Sequence, residues 1–154
     1  MSSKGWYAFD LDGTLAYYNG WQGVEHIGAP VPAMLAKVQA LLDAGEEVRI
    51  FTARVCVNEL RDEVESRKAE RAIKRWCVAH IGIELPVTNV KDFGMIRLYD
   101  DRCVQVVPNE GREIVDAGVP CPQCSAEAVA CVTQGDQKWL KCVACWQDFE
   151  RRSL

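Results

Sequence analysis

Short runs of consecutive apolar residues alternate along the chain with longer segments in which apolar residues recur every three or four positions. The short runs predict strands buried on both faces, as in parallel sheets, and the longer segments predict helices with one apolar face. The predicted strands are residues 6–9, 47–54, 85–90, 96–99 and 104–107, and the predicted helices are residues 32–44 and 58–80. This alternation predicts a three-layer α/β domain, with a mainly parallel sheet and helices on both faces.

The first predicted strand runs directly into two acids. Asp10 follows Phe9, and Asp12 and Gly13 come after Leu11. On a continuing strand the two carboxylates point to the same side, where they repel each other unless a cation or a reaction offsets the repulsion. Asp-Gly is also a common turn dipeptide. A surface turn would explain Asp12 and Gly13, but it does not explain an acid at the end of a buried strand.

Polar residues also follow three of the other predicted strands. Thr52 closes the second strand, Lys91 follows the third, and Asp100 and Asp101 follow the fourth. A threonine hydroxyl can donate to a phosphoryl oxygen, although threonine is common in strands for steric reasons alone. Acids and a lysine near the ends of strands are a costly arrangement without a function, so they predict a site at that edge of the sheet.

Residues 9–15, Phe-Asp-Leu-Asp-Gly-Thr-Leu, resemble the first motif, hhhhDxDGTL, of the haloacid dehalogenase-like phosphohydrolases. Thr52, Lys91 and the Asp100-Asp101 pair resemble the second, third and fourth motifs of that family, in the same order. The resemblance covers about three quarters of the chain and implies a magnesium-dependent phosphatase. One departure is that Lys91 lies only nine residues before Asp100, where many members have a helix.

The resemblance implies a role for each of these residues. Asp10 is the nucleophile that forms an aspartyl-phosphate, and Asp12 protonates the leaving oxygen and then deprotonates the attacking water. Thr52 and Lys91 hold the phosphoryl oxygens. Magnesium prefers oxygen ligands. The implied ligands are Asp10, Asp12 through its carbonyl, and Asp100 or Asp101.

Residues 16–32 lie beside the two aspartates in sequence and are rich in glycine, proline and aromatic residues. We expect an irregular loop that overhangs the site. Its aromatic side chains either stack on a substrate ring or base, or pack the loop onto the domain. The loop is too short to be a capping domain, so the site is open to bulky or polymeric substrates. Arg54, two residues after Thr52, is either a further phosphate clamp or a surface arginine.

The chain has 154 residues, of which 49% are hydrophobic and 26% charged, as expected for one ordinary domain or for one small domain with an appendage. Its net charge of −4 argues against a protein that coats nucleic acid. No signal-peptide pattern precedes the first strand, and no apolar run approaches the ~20 residues that a membrane-spanning helix needs. We therefore expect a cytoplasmic protein with no membrane partner.

Four of the eight cysteines form two Cys-x-x-Cys pairs, Cys121 with Cys124 and Cys142 with Cys145, separated by 17 residues. This spacing indicates zinc, and four thiolate ligands leave no open position, so the zinc is expected to be structural. A redox dithiol at the first pair is the alternative. The residues between the pairs predict a hairpin. Residues 119–154 are therefore expected to form a zinc ribbon after a phosphatase domain at residues 1–118.

Two functions follow from these patterns. The first is magnesium-dependent hydrolysis of a phosphomonoester, on a small molecule such as a nucleotide or on a nucleic-acid end. The second is an adaptor, in which the ribbon binds a protein or nucleic-acid partner and the α/β domain is a non-catalytic scaffold. Residues 119–154 hold four basic and four acidic side chains, which gives no electrostatic support for nucleic-acid binding. The paired acids favour the first function.

Overall fold

The structure is a computed structural model that describes residues 5–59, 61–106, 109, 113–116, 123, 129–134, 137–142 and 148–151. The chain divides into two compact units, Met1–Asp101 and Arg102–Leu154. The boundary that the sequence predicts, between residues 118 and 119, falls outside the described residues and stays a prediction. Within the described part of the chain, no helix is both long enough and apolar enough to cross a bilayer.

The first unit is built on a four-stranded parallel sheet in the order β3-β2-β1-β4. Its strands are β1 (Trp6–Phe9), β2 (Glu47–Phe51), β3 (Val87–Thr88) and β4 (Met95–Tyr99). Strand β1 pairs on both sides, and its Ala8 and Phe9 are fully buried. The predicted parallel α/β sheet is confirmed.

Two helices accompany the sheet, α1 (Pro32–Asp43) and α2 (Glu63–Ile81). Helix α1 has proline in its first turn, where a missing N–H is tolerated. Helix α2 begins five residues later than predicted, because the Asp62 side chain accepts from Glu65 N at 2.9 Å and caps the first turn. It ends at Gly82, whose φ of 93° suits glycine.

Both helices lie on one face of the sheet. Val38 of α1 and Ile73 and Trp76 of α2 belong to the same core cluster as Phe9 and Ile50 of the central strands. The connections β1-α1-β2 and β2-α2-β3 step across the sheet in the same direction, and right-handed crossovers then place both helices on one side. Residues 89–94 carry the chain from β3 to β4 without a helix. The described residues therefore do not form the predicted second helical layer.

The second unit contains a five-stranded antiparallel sheet in the order β5-β6-β7-β8-β9. Its strands are β5 (Gln105–Val106), β6 (Glu113–Asp116), β7 (Val129–Gln134), β8 (Gln137–Cys142) and β9 (Asp148–Arg151). Strand β5 pairs with β6, so the prediction that residues 104–107 complete the first sheet is wrong. Strands β7 and β8 form the predicted hairpin, with Gln134 opposite Gln137.

One of the four predicted zinc ligands, Cys142, lies in this sheet. Cys142 is the last residue of β8, opposite Val129 in β7. Cys121, Cys124 and Cys145 lie outside the described residues. The zinc ribbon stays a prediction.

Candidate active site

The site begins in a tight turn that follows β1. Asp10 N donates to Tyr99 O at 2.8 Å, which fastens the first residue after β1 to the last residue of β4. Leu15 N then donates back to Asp10 O at 3.2 Å and Gly13 N to Ala16 O at 2.9 Å, closing the turn. The parallel pairing of β1 with β4 thus brings Asp10 to the same edge of the sheet as the two acids that follow β4.

Three carboxylates meet at this edge. Asp10, Asp100 and Asp101 each offer an oxygen, and these atoms lie within 4.8 Å of one another. Asp101 is held by its backbone, because its N–H donates to the buried Thr14 hydroxyl at 2.9 Å. A Cβ at Gly13 would come within 2.7 Å of Asp101 Oδ2, and Gly13 has a φ of 88°. The first-motif glycine therefore leaves room for the Asp101 carboxylate.

The surroundings of Asp10 favour its neutral form. Burial, reinforced by repulsion from Asp100, Asp101 and Asp12, raises the pKa of Asp10 to about 7, against the opposing effect of a hydrogen bond from Leu11 N–H. A bound cation would reverse this balance, since opposite charge favours the ionised carboxylate. The donor set fits a hard divalent ion such as magnesium, which binds carboxylate oxygens.

Asp12 is held by Arg54. The guanidinium donates through Nε to Asp12 Oδ2 at 2.6 Å and through Nη2 to Asp12 Oδ1 at 2.7 Å. Arg54 is 4% exposed, so it is not the surface arginine that the sequence allowed. Each of the two residues lies three positions beyond the end of a strand, and those strands, β1 and β2, are paired in parallel. This equal spacing of Asp12 and Arg54 from their strand ends is the sequence signal that could have predicted their contact.

Thr52 lies at the end of β2 and is 2% exposed. Its N–H donates to Thr88 O at 2.9 Å, and its Oγ1 accepts from Arg54 N at 3.2 Å, which starts the 3₁₀ turn Ala53–Val55. A hydroxyl that accepts in this way keeps a hydrogen that it can donate. Thr52 therefore lies at the expected edge with donor capacity.

Lys91 does not lie with the residues at the carboxyl edge of the sheet. It is exposed, and its neighbour Asp92 accepts from Trp6 Nε1 at 2.8 Å and pairs with Arg49 at 3.4 Å. Trp6 is the first residue of β1, so this contact holds Asp92 towards the amino ends of the central strands. The structure brings Asp10, Asp100 and Asp101 together, with Asp12 close enough to affect Asp10, but it does not place Lys91 with them.

Residues 17–29, here called the aromatic loop, are fastened at several points. Tyr17 N donates to Ala29 O at 2.8 Å, which closes the base of the loop. Trp76 of α2 donates to Gly28 O at 2.8 Å, and Arg54 Nη1 donates to Val24 O at 3.1 Å. The same Arg54 that holds Asp12 therefore also holds this loop beside the site.

Comparison with known proteins adds little to this description. No protein-family model matches the chain. No curated protein matches it. Among solved structures, a conserved protein from Bacteroides thetaiotaomicron is similar at 20% identity over 70% of this chain and 84% of that chain, with a TM-score of 0.46.

Proposed function

We propose that the protein is a magnesium-dependent phosphomonoester hydrolase of the haloacid dehalogenase-like family, acting through an aspartyl-phosphate on Asp10. The observation that carries the proposal is the convergence of Asp10, Asp100 and Asp101 within 4.8 Å at the carboxyl edge of a parallel sheet. Three carboxylates that close destabilise a fold unless a cation or a reaction uses them. The order of the sequence motifs supports the same reaction.

Asp10 is the proposed nucleophile, because its carboxylate follows the central strand and its backbone is fixed to Tyr99. The proposed magnesium ligands are Asp10, Asp12 through its carbonyl, and Asp100 or Asp101. When bound, magnesium would neutralise charge on the carboxylates and on the phosphoryl oxygens. Thr52 would donate its hydroxyl hydrogen to a phosphoryl oxygen and so orient the group for attack by Asp10.

Asp12 is the proposed acid and base. Its two hydrogen bonds with Arg54 fix the position of the carboxyl group that would accept a proton from the water that hydrolyses the intermediate. To protonate the leaving oxygen, Asp12 must carry a proton and loosen one of these two bonds. Arg54 therefore positions Asp12 and does not clamp the phosphate.

Lys91 keeps only the support of its place in the sequence motif. The next residue, Asp92, contacts Trp6 at the amino end of β1. To hold a phosphoryl oxygen, the Lys91 side chain would have to reach from there to the carboxyl edge of the sheet.

The two Cys-x-x-Cys pairs flank the β7–β8 hairpin in sequence, which supports a structural zinc site in the second unit. That site would serve a protein or nucleic-acid partner.

The test is hydrolysis of a generic aryl phosphate by the full-length protein, with magnesium and with a chelator. We expect turnover that needs magnesium and that falls by several orders of magnitude in Asp10→Asn. The matched control is Asp43→Asn, at the exposed end of α1. A metal-independent rate, or full activity of the folded Asp10→Asn protein, would contradict the mechanism, and a folded wild-type protein without turnover would favour the adaptor hypothesis.

A further inference from the structure

Trp21 of the aromatic loop lies against two guanidinium groups and is not packed into the core. Its side chain is 50% exposed, and the guanidinium carbons of Arg54 and Arg61 each lie 5.0 Å from the centre of its ring. Both guanidinium groups are fixed. Arg54 is bound to Asp12 and Val24, and Arg61 donates through Nη1 to Arg54 O at 2.7 Å.

Fastening the loop does not explain why Trp21 is exposed. The loop is already held by Trp76 at Gly28 and by an ion pair between Arg75 and Glu25 at 3.1 Å. A tryptophan used only as an anchor would gain more by burying its ring, since apolar burial is the main source of stabilisation. A half-exposed indole ring beside two fixed cations instead offers a flat surface on which another planar group can stack.

The position of Trp21 relates this surface to the proposed reaction. In an in-line displacement the leaving oxygen lies opposite the nucleophile Asp10. The acid that protonates that oxygen must come within about 2.6–3.2 Å of it, and the proposed acid is Asp12. Asp12 is bound to Arg54, and Arg54 lies against Trp21. Arg54 alone therefore separates the proposed acid from the Trp21 ring.

We propose that Trp21 and Arg61 form a leaving-group subsite that stacks a nucleobase, so that the substrate is a phosphorylated nucleoside. This inference rests on the proposed phosphatase function and specifies its substrate class. Stacking on an aromatic ring accepts any base, and a neighbouring guanidinium adds a donor for base or sugar oxygens. Tyr17 and Tyr18 of the same loop are also exposed. The nucleobase belongs either to a mononucleotide or to the end of an oligonucleotide.

The kinetic test compares wild type, Trp21→Ala and Trp21→Phe on nucleoside monophosphates, on 3′- and 5′-phosphorylated dinucleotides, and on glycerol phosphate. We expect Trp21→Ala to lower the ratio of kcat/KM on nucleotides to that on glycerol phosphate by about tenfold, mainly through KM, and Trp21→Phe to restore most of it. The control is Phe93→Ala, which removes an exposed ring from residues 89–94 and should leave the ratio unchanged. A dinucleotide preferred over its mononucleotide would identify a nucleic-acid end as the source of the base.

A binding test examines the nucleobase subsite independently of phosphatase activity. Adenosine, which carries no phosphate, is titrated against wild type and Trp21→Ala by NMR chemical-shift perturbation. Binding that Trp21→Ala weakens supports the subsite even where no phosphatase activity is found. Equal losses of kcat/KM on nucleotides and on glycerol phosphate in Trp21→Ala would overturn the subsite. Adenosine binding that is equal in both proteins, or absent from both, would also overturn it. Neither result would affect the phosphatase proposal, which has its own assay.

Discussion

Arg54 binds Asp12 through two parallel hydrogen bonds, with Nε and Nη2 each donating to a different carboxylate oxygen at 2.6 and 2.7 Å. Neither side chain is freely solvated, since their exposed fractions are 5% and 21%. Removing one member of such a pair leaves the other charge without compensation, so the pair fixes where the Asp12 carboxylate can lie. Its geometry depends on the flat fork of arginine, which lysine cannot reproduce.

Replacing Arg54 should impair the acid and base work of Asp12. We expect Arg54→Gln to lower kcat/KM, which reports formation of the aspartyl-phosphate, about 100-fold on an alkyl phosphate, whose poor leaving group needs a proton, and much less on a nitrophenyl phosphate, whose leaving group does not. Steady-state kinetics on both substrates measure this difference. In an Asp12→Asn background the same replacement should have little further effect, because Arg54 acts through Asp12. Equal losses on both substrates would mean that Arg54 is only structural.

The acids after β4 should set the magnesium requirement. In the double variant Asp100→Ala/Asp101→Ala we expect the magnesium concentration for half-maximal activity to rise at least tenfold, because two of the three clustered carboxylates are lost. Activity measured over a magnesium titration gives this value. Glu46→Ala/Glu47→Ala, two acids at the start of β2, is the matched control. An unchanged magnesium dependence would show that Asp100 and Asp101 are structural.

Asp10 should make the metal-free protein less stable as the pH rises. Its carboxyl has a pKa of about 7 in the folded chain and 3.8 as its ordinary value, so between these pH values the folded state holds a proton that the unfolded state has lost. The free energy of unfolding therefore falls as pH rises from about 4 to 7, and the loss is complete above the folded pKa. Asp10→Asn, which does not titrate, should be more stable than wild type at pH 8 by on the order of 1–2 kcal/mol, a range reduced for solvent screening of a half-buried group.

Urea unfolding in the presence of a chelator, at pH 4 and pH 8, checks this expectation. The stability gap between Asp10→Asn and wild type should be near zero at pH 4, and magnesium should narrow it at pH 8 by stabilising the wild-type carboxylates. A gap of the same size at both pH values would mean that the substitution acts through packing and not through charge.

Zinc should be a structural part of the second unit. Elemental analysis of the purified chain is expected to find one zinc per molecule, and Cys145→Ser should lower that content and the melting temperature of the second unit. Cys56→Ser, at a cysteine outside the two pairs, is the control and should keep the zinc. A zinc-free chain isolated under reducing conditions would contradict the ribbon and favour the dithiol alternative.

The parts of the fold that were predictable depend on local pattern. The apolar run before Asp10 predicted the central strand, because a strand buried on both faces needs no polar residue to face water. The late start of α2 had a local signal as well, since Asp62 with Glu65 three residues later has the spacing of a capping box. The existence of each helix was easier to predict than its first residue.

The parts that were missed depend on which segments meet in space. Arg54 and Asp12 are 42 residues apart in sequence, and only the parallel register of β1 and β2 brings them together. Strand β5 is two residues long, and nothing in so short a run says which sheet it joins. The face on which the helices lie follows from strand order and crossover hand, neither of which hydrophobic spacing contains.

The position of β1 in the sheet has a consequence for how the protein matures. Among the four strands of this sheet the central one is made first, and its outer neighbour β4 is made last. Until then one edge of β1 has no partner within the sheet, and such an edge is prone to pair with other chains. The clustered acids are likewise incomplete until residues 100 and 101 have been added. Magnesium binding would thus report completion of the sheet, and a nascent chain released before β4 would be both inactive and exposed to aggregation.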